Sequence, residues 1–209
     1  MSLLFRFLLF SSFAVTLAAQ SGDDVVTVEE LRNPLTGKSL RTILTAQEHL
    51  KSGQHERGMQ ELREALKDPV AMPYAISMLG AEHLRAGQLD SALSELEQAV
   101  HSLPQAETRS NFAYALYLTG QTERGLEEAR KAFKLDGGKP KTRLVLGLLL
   151  LQQGSHDTEA IHQLEVASQG SPDAHLILAR HYDRAGKAPE AEKERRAYAI
   201  TSMGLFASK

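Results

Sequence analysis

The chain lacks the residues that carry thiol chemistry, and it has no excess of charge of either sign. Its 209 residues include no Cys and no Trp, and aromatic residues make up 6% of them. The lack of Cys excludes disulfides, thiolate metal ligands and a thiol nucleophile. Nucleic-acid binding needs an excess of positive charge. That function is therefore not favoured, because 24 Lys and Arg residues stand against 26 Asp and Glu residues. The 42% hydrophobic content is typical of a folded chain.

The first twenty residues predict an export signal. Arg6 precedes an apolar run from Phe7 to Ala19, and polar residues follow from Gln20 onward. This order, with small residues at the end of the run, is typical of a secretory signal peptide that is cleaved near Ala18 or Ala19. A retained membrane anchor is the alternative, but a spanning helix needs about 20 apolar residues. We therefore expect the chain to be exported and the leader to be removed.

The absence of Cys also bears on where the exported chain resides. No Cys follows the apolar run, so a lipid-anchored lipoprotein is excluded. Small secreted eukaryotic domains usually carry disulfides, so an exported chain without Cys fits a bacterial envelope better. No second apolar run is long enough to cross a bilayer. The mature chain is thus expected to be periplasmic or secreted, without a transmembrane segment.

A glycine recurs along the chain with a period of 32 to 34 residues. A small residue lies seven positions before each of these marker glycines, and another follows about five positions after it. A Pro or Gly closes each period, and the fourth period carries one extra residue in the stretch SHDTE. The marker glycines are Gly53, Gly87, Gly120, Gly154 and Gly186, and the small residues before them are Ala46, Gly80, Ala113, Gly147 and Ala179.

This pattern predicts a stack of helix pairs. The helical period places the small and large apolar residues of each period on one face, and small residues allow two helices to approach closely. The marker glycine ends the first helix of a pair, since Gly adopts a left-handed conformation without strain. One pair cannot bury its own apolar face, so successive pairs must stack on each other.

The recurring positions resemble the tetratricopeptide repeat (TPR) family over about Ser39 to Ile200. The resemblance implies an all-α fold, a right-handed superhelical solenoid of antiparallel helix pairs with about five units. The expected organisation is a signal peptide over 1–19, a polar linker over 20–38, the repeat domain over 39–200 and a tail over 201–209. The charged last helix suits a capping element, which needs a polar outer face.

Residues that could support catalysis or bind metal are few. Among the eight His residues, His49 and His83 hold the same place in successive repeats, which favours packing positions over metal ligands. No HExxH or other close ligand pair is present, and no GxSxG motif marks a nucleophile. We therefore expect no enzyme, no metal site and no cofactor. A metal binder or an enzyme using these His residues is the least favoured hypothesis.

The resemblance also implies where a partner would bind. In this family the first helix of each pair lines the inner, concave wall of the solenoid. Transferred to this chain, that wall would run from aromatic through aliphatic to basic. Its candidate residues are Tyr74, Ser77, Ala81, Leu84, Ser110, Tyr114, Tyr117, Leu144, Leu148, Leu151, Leu176, Arg180 and Arg184.

Two functional hypotheses follow from the predicted solenoid. The first is a scaffold or adaptor that holds a protein or peptide segment in the groove, because contiguous exposed apolar patches mark interaction sites. An alternative for Leu148 and Leu151 is that they pack against the next repeat or the tail. Some family members bind a C-terminal carboxylate through Lys, Asn and Arg, but the Tyr, Leu and Ser residues here fit a hydrophobic helix or an extended segment better. The second function is a structural subunit of an envelope complex that assembles through the repeat ends or by self-association.

The leader yields a first prediction. When the full chain is expressed in a bacterial host and its envelope fraction is recovered, we expect an intact mass that lacks the residues before Gln20 or its immediate neighbour. Mass spectrometry of the recovered protein measures this directly. A chain that keeps its first residues and stays with the membrane would instead identify the segment as an anchor.

Overall fold

The computed structural model describes residues 35–154 and 156–207, with side chains up to residue 202, and this part is entirely helical apart from its turns. The predicted signal peptide and most of the predicted linker lie outside the described residues. The helices are α1 (Gly37–Lys51), α2 (His55–Ala65), α3 (Met72–Arg85), α4 (Leu89–Ser102), α5 (Ala106–Leu118), α6 (Thr122–Asp136), α7 (Pro140–Gln153), α8 (Asp157–Ala167), α9 (Asp173–Arg184) and α10 (Ala188–Ala207).

The helices form five pairs, each made of an A helix followed by a B helix. The A helices are α1, α3, α5, α7 and α9, and each contacts the B helix that follows it most extensively. Within each pair the marker glycine stands in the turn with a φ between 71° and 77°, in the left-handed region. The predicted all-α solenoid of about five antiparallel helix pairs is therefore confirmed. The right-handed sense of its superhelix stays a prediction.

The two ends of the array differ slightly from the predicted boundaries. Helix α1 begins at Gly37, two residues before Ser39. Helix α10 runs to Ala207 and so continues the helical backbone well past Ile200. In the fourth pair, α8 begins at Asp157, after the turn that holds the extra residue. The repeat pattern thus locates each pair, while the ends of the outermost helices depend on local capping.

Small residues allow the helices to pack closely inside each pair. A Cβ atom added to Gly147 would lie 2.6 Å from Cγ of Leu164, and one added to Gly80 would lie 2.7 Å from Cγ of Leu96. Both Leu side chains are fully buried, so neither can move aside at low cost. The apolar core passes from pair to pair, because Leu144 packs against core residues of both the fourth and the fifth pair.

The contacts between pairs distinguish the row of A helices from the row of B helices. Consecutive A helices contact each other from α3 through α5 and α7 to α9, whereas the extensive contacts of each B helix are with A helices. Among the described helices no two B helices pack extensively on each other. The row of A helices is therefore the more closely packed of the two, and its place on the concave wall stays a prediction. None of the helices described here is long and apolar enough to cross a membrane.

The left-handed turn in the third pair is a site for a stability test. A Cβ at Gly120 would meet no atom within 4 Å, so the Gly120→Ala substitution tests backbone conformation alone. We expect a net loss of about 1 kcal/mol in the free energy of unfolding, since a left-handed Ala costs more than the entropy it removes from the unfolded chain.

Gly120→Asn is the matched control, because Asn tolerates the left-handed region better than Ala. Urea unfolding followed by circular dichroism gives both values. Equal stability of the Ala and Asn variants would show that the turn does not depend on this conformation.

Candidate binding surface

Each A helix carries a stripe of residues at the positions that the family resemblance assigns to the concave wall. Positions 13, 6 and 2 residues before the marker glycine are separated by seven and four residues, so they lie on one face of a helix. We call them the inner stripe. From the second pair to the fifth, its members are Tyr74, Ala81 and Arg85; Glu107, Tyr114 and Leu118; Lys141, Leu148 and Gln152; and Asp173, Arg180 and Arg184.

An apolar patch occupies the middle of the inner stripe. The rings of Tyr114 and Tyr117 stack with their centroids 5.9 Å apart and an interplanar angle of 10°. One turn after Tyr114, Leu118 is 40% exposed, and Leu148 holds the register of Tyr114 in the next pair, where it is partly buried. These four residues form what we call the inner apolar patch. The sequence reasoning missed Leu118, although its place four residues after Tyr114 was a sufficient signal.

Several predicted wall residues, Tyr114 and Tyr117 among them, pack against the cores between repeats. Leu144 and Leu151 are partly buried and pack against the cores of the fourth and fifth pairs. For Leu151 this contact agrees with the alternative that it packs against the next repeat. Leu84 packs in the same way against the core shared by α4 and α5. Tyr74 is partly buried against the core of the first two pairs. These side chains stiffen the wall and leave only part of their surface for a partner.

Two Ser residues of the predicted wall make hydrogen bonds between successive A helices. Ser77 Oγ lies 3.0 Å from Thr108 Oγ1, and Ser110 Oγ lies 3.3 Å from Thr142 Oγ1. The structure contradicts the placement of Ser110 on an open wall, since this residue is only 1% exposed. The physical reason is that the next A helix covers it and its hydroxyl bonds within that contact. Ser77 is partly buried and bonded in the same manner.

Acidic and basic side chains alternate at the first position of the inner stripe. Glu107, Lys141 and Asp173 are exposed. Burial raises the pKa of Tyr114, and the nearby Tyr117 and Asp173 add to that rise. Asp173 in the fifth pair therefore lies within electrostatic reach of Tyr114 in the third.

Lys141 has a lowered pKa although its side chain is exposed. The lowering comes from desolvation of the charged group by the surrounding protein, and the nearby Glu107 partly offsets it.

The far end of the inner stripe is basic. Arg180 and Arg184 are exposed on α9, and Leu176, one turn earlier, is partly buried. In the second pair, Arg85 donates from both Nε and Nη2 to Glu82 Oε2 at 3.0 and 2.9 Å. From the second pair to the fifth, the positive charge that the stripe offers to a partner is therefore greatest in the fifth, while in the first pair Lys51 is also exposed.

Polar ties join the A and B helices of the last three pairs in one register. A side chain 11 residues before the marker glycine bonds to one on the following B helix: Arg109 Nη1 to Glu128 Oε2 at 2.5 Å, Arg143 Nη1 to Gln163 Oε1 at 2.7 Å and His175 Nδ1 to Glu194 Oε2 at 2.6 Å. The sequence reasoning missed these ties. The recurrence of Glu or Gln eight or nine residues after the marker glycine was the available signal.

Three His residues, including His175, bond to a carboxylate on another helix. His83 Nδ1 lies 2.6 Å from Glu95 Oε2 within the second pair. His55 Nδ1 lies 3.1 Å from Glu82 Oε2 and so links the first pair to the second. Within the part of the chain that is described, no three His or acidic residues gather as a metal site would require. Each of these contacts joins one His to one carboxylate.

Comparison with known proteins identifies the fold. A tetratricopeptide repeat family model matches residues 172–196. The structure of TTC0263, a thermophilic TPR protein in Thermus thermophilus, has a TM-score of 0.61 at 20% identity over 79% of this chain and 99% of its own. MamA from Desulfovibrio magneticus, residues 41 to the end, has a TM-score of 0.61 at 14% identity over 81% and 98%. A further MamA structure has 0.58 at 18% identity over 78% and 96%. No curated protein matches the chain in sequence. The resemblance predicted from the repeat pattern is confirmed.

The polar ties generate a test of their energetic role. In a double-mutant cycle of Arg109→Ala and Glu128→Ala, we expect a coupling energy of about 1–3 kcal/mol, because both side chains are largely buried and Arg109 without Glu128 keeps its desolvation cost. Glu128 without Arg109 still has Lys131 Nζ at 2.8 Å.

The exposed pair Arg124 and Glu97, whose Nη2 and Oε1 atoms lie 2.7 Å apart, is the matched control. Its coupling should stay below about 1 kcal/mol. Urea midpoints of all variants measure both values, and equal coupling in the two cycles would contradict a special role of the buried tie.

Proposed function

We propose that this chain, a tetratricopeptide-repeat protein, is a scaffold that holds a protein or peptide segment on the inner wall of its helical array. The proposed role is not catalytic, because it needs only a surface that matches a partner in shape and polarity. The predicted leader supports a further element of the proposal, namely export to a bacterial periplasm or to the exterior.

The inner apolar patch is the observation that carries this proposal. Tyr114 and Tyr117 are partly buried against the core of the third and fourth pairs, and Leu118, one turn after Tyr114, is exposed. Leu148 holds the register of Tyr114 on the next A helix and is partly buried, so each of the four side chains keeps some surface for a partner. Exposed apolar residues that cluster in this way mark interaction sites. Stacked Tyr rings add a large rigid surface whose hydroxyl groups accept or donate hydrogen bonds. A helix or an extended strand with apolar anchors fits such a wall.

A second candidate function is assembly of copies through the ends of the array. Ile200 on α10 is 72% exposed and Leu44 on α1 is 51% exposed. These two helices are the first and the last of the array, so head-to-tail contact would cover both. Light scattering at increasing concentration distinguishes this function, since assembly raises the mean mass while a groove scaffold stays at constant mass.

Substitution of the inner apolar patch tests the scaffold role. The variant Leu118→Glu with Leu148→Glu places two charges on the inner wall, and Leu135→Glu places one on an exposed residue of B helix α6 as the control. We expect the unmodified protein and the control to retain the same partner from an envelope extract. The patch variant should bind the purified partner at least about tenfold more weakly.

Circular dichroism first establishes that the three proteins are equally helical. Mass spectrometry identifies the retained protein, and titration calorimetry then gives its dissociation constant for each variant. Equal affinity for all three proteins would place the partner elsewhere on the array, and retention that depends on Ile200 or Leu44 would favour assembly through the ends.

A further inference from the structure

We propose that the inner wall has a fixed direction, in which a bound segment places apolar side chains on the inner apolar patch and acidic side chains on Arg180 and Arg184. The occupant is thus an internal stretch of protein with apolar anchors next to Asp or Glu. This inference rests on the proposed function and adds the chemical class and the orientation of the segment.

From the second pair to the fifth, the cations of the A helices differ in whether the protein already neutralises them. Arg85, in the second pair, is held by Glu82 through two nitrogen atoms. In the first pair, two repeats away from Tyr114, Arg41 and Lys51 are also exposed. Arg109 and Arg143 turn away from the wall and bond to B-helix side chains. Lys141 stands on the wall, but Glu107 lies within its electrostatic reach. From the second pair to the fourth, each cation of the A helices therefore has a polar or acidic group of the protein nearby.

Arg180 and Arg184 differ from the Arg residues on the A helices of the second to fourth pairs, because neither has a bonded partner among the described residues. Both are exposed, and in the described part of the chain no hydrogen bond or ion pair joins either of them to another side chain. The neighbouring Asp183 is already bonded to Arg195 Nη1 at 2.8 Å. Asp173 precedes Arg180 by seven residues, which places it about 10 Å away along the helix axis. The positive charge of these two guanidinium groups remains available for an incoming carboxylate.

The helix dipole accounts for only part of this arrangement. Arg184 lies in the last turn of α9, where the partial negative charge of the helix end favours a cation. Arg180 stands a turn earlier, in the register that Tyr114 and Leu148 occupy in the preceding pairs. A basic residue at that position is too far from the helix end to interact with its dipole. It holds the same register as the patch residues of the preceding pairs.

The spacing of these positions predicts the spacing in the partner. Tyr114, Leu148 and Arg180 follow each other at intervals of one repeat, and A helices in contact lie about 8–10 Å apart. A segment in the polyproline II conformation rises about 3.1 Å per residue with three residues per turn, so its side chains three residues apart share one face and lie about 9 Å from each other. The expected order is an apolar residue, a second apolar residue three positions on, and an acidic residue after a similar interval.

Selection from random peptides tests this order. The probe is a phage-displayed library of twelve-residue peptides whose carboxyl ends are fused to the coat protein, so no free C-terminal carboxylate is present. Residues 20–209 serve as bait, because every described core cluster lies beyond residue 34. We expect enriched peptides to carry two apolar residues and then Asp or Glu at this spacing, always in one order relative to the chain direction.

The variant Arg180→Glu with Arg184→Glu is the decisive comparison. It should enrich the same apolar spacing with Lys or Arg in place of the acidic residue, and it should bind a peptide selected by the unmodified protein about tenfold more weakly at low salt. The control Arg130→Glu changes an exposed cation on B helix α6 and should leave the selected sequences unchanged.

The possible outcomes separate the inference from the function on which it rests. Apolar peptides without a charge preference, or with a preference that survives the double charge reversal, would overturn the fixed direction and leave the scaffold role standing. Failure to enrich any peptide over the Leu118→Glu and Leu148→Glu variant would overturn both.

Discussion

The close approach of helices at small residues is the constraint on which the rest of the structure depends. At Gly80 and Gly147 the next helix comes so near that even a methyl group would overlap a buried Leu. Such a contact fixes the depth to which each B helix packs against its A helix. The other three repeats carry Ala at the same position, so their helix pairs leave room for one methyl group, and no more than a small residue is present in any pair. The inner stripe is aligned from pair to pair because of this regularity.

Polar contacts stabilise the same helix packing both within pairs and between pairs. Within the last three pairs, a tie such as Arg109 to Glu128 joins the A helix to its B helix. Between pairs, hydroxyl contacts such as Ser110 to Thr142 join one A helix to the next. Burying these groups costs free energy unless they are bonded, so each contact favours one register over its neighbours. The apolar core supplies most of the stabilisation, and the polar contacts select how the helices meet.

The repeat pattern was sufficient to predict the fold, because the period of the glycines determines both the helix pairs and their stacking. The wall residues were harder to predict. Ser110 fits the helical register of the wall, but its environment depends on Thr142 in the following repeat, 32 residues later in the chain. Leu144 and Leu151 are likewise shared between two cores. One helix considered alone does not show how much of each side chain its neighbour covers.

The uneven packing of the two helical rows has a mechanical consequence. Successive A helices contact each other along much of the array, while the described B helices pack extensively only on A helices. Each B helix, however, packs on the A helix of the next pair more extensively than consecutive A helices pack on each other. A bend at any joint between pairs therefore deforms this B-to-A surface first. If a bound segment bends the array, several joints share the deformation, and no single contact has to open.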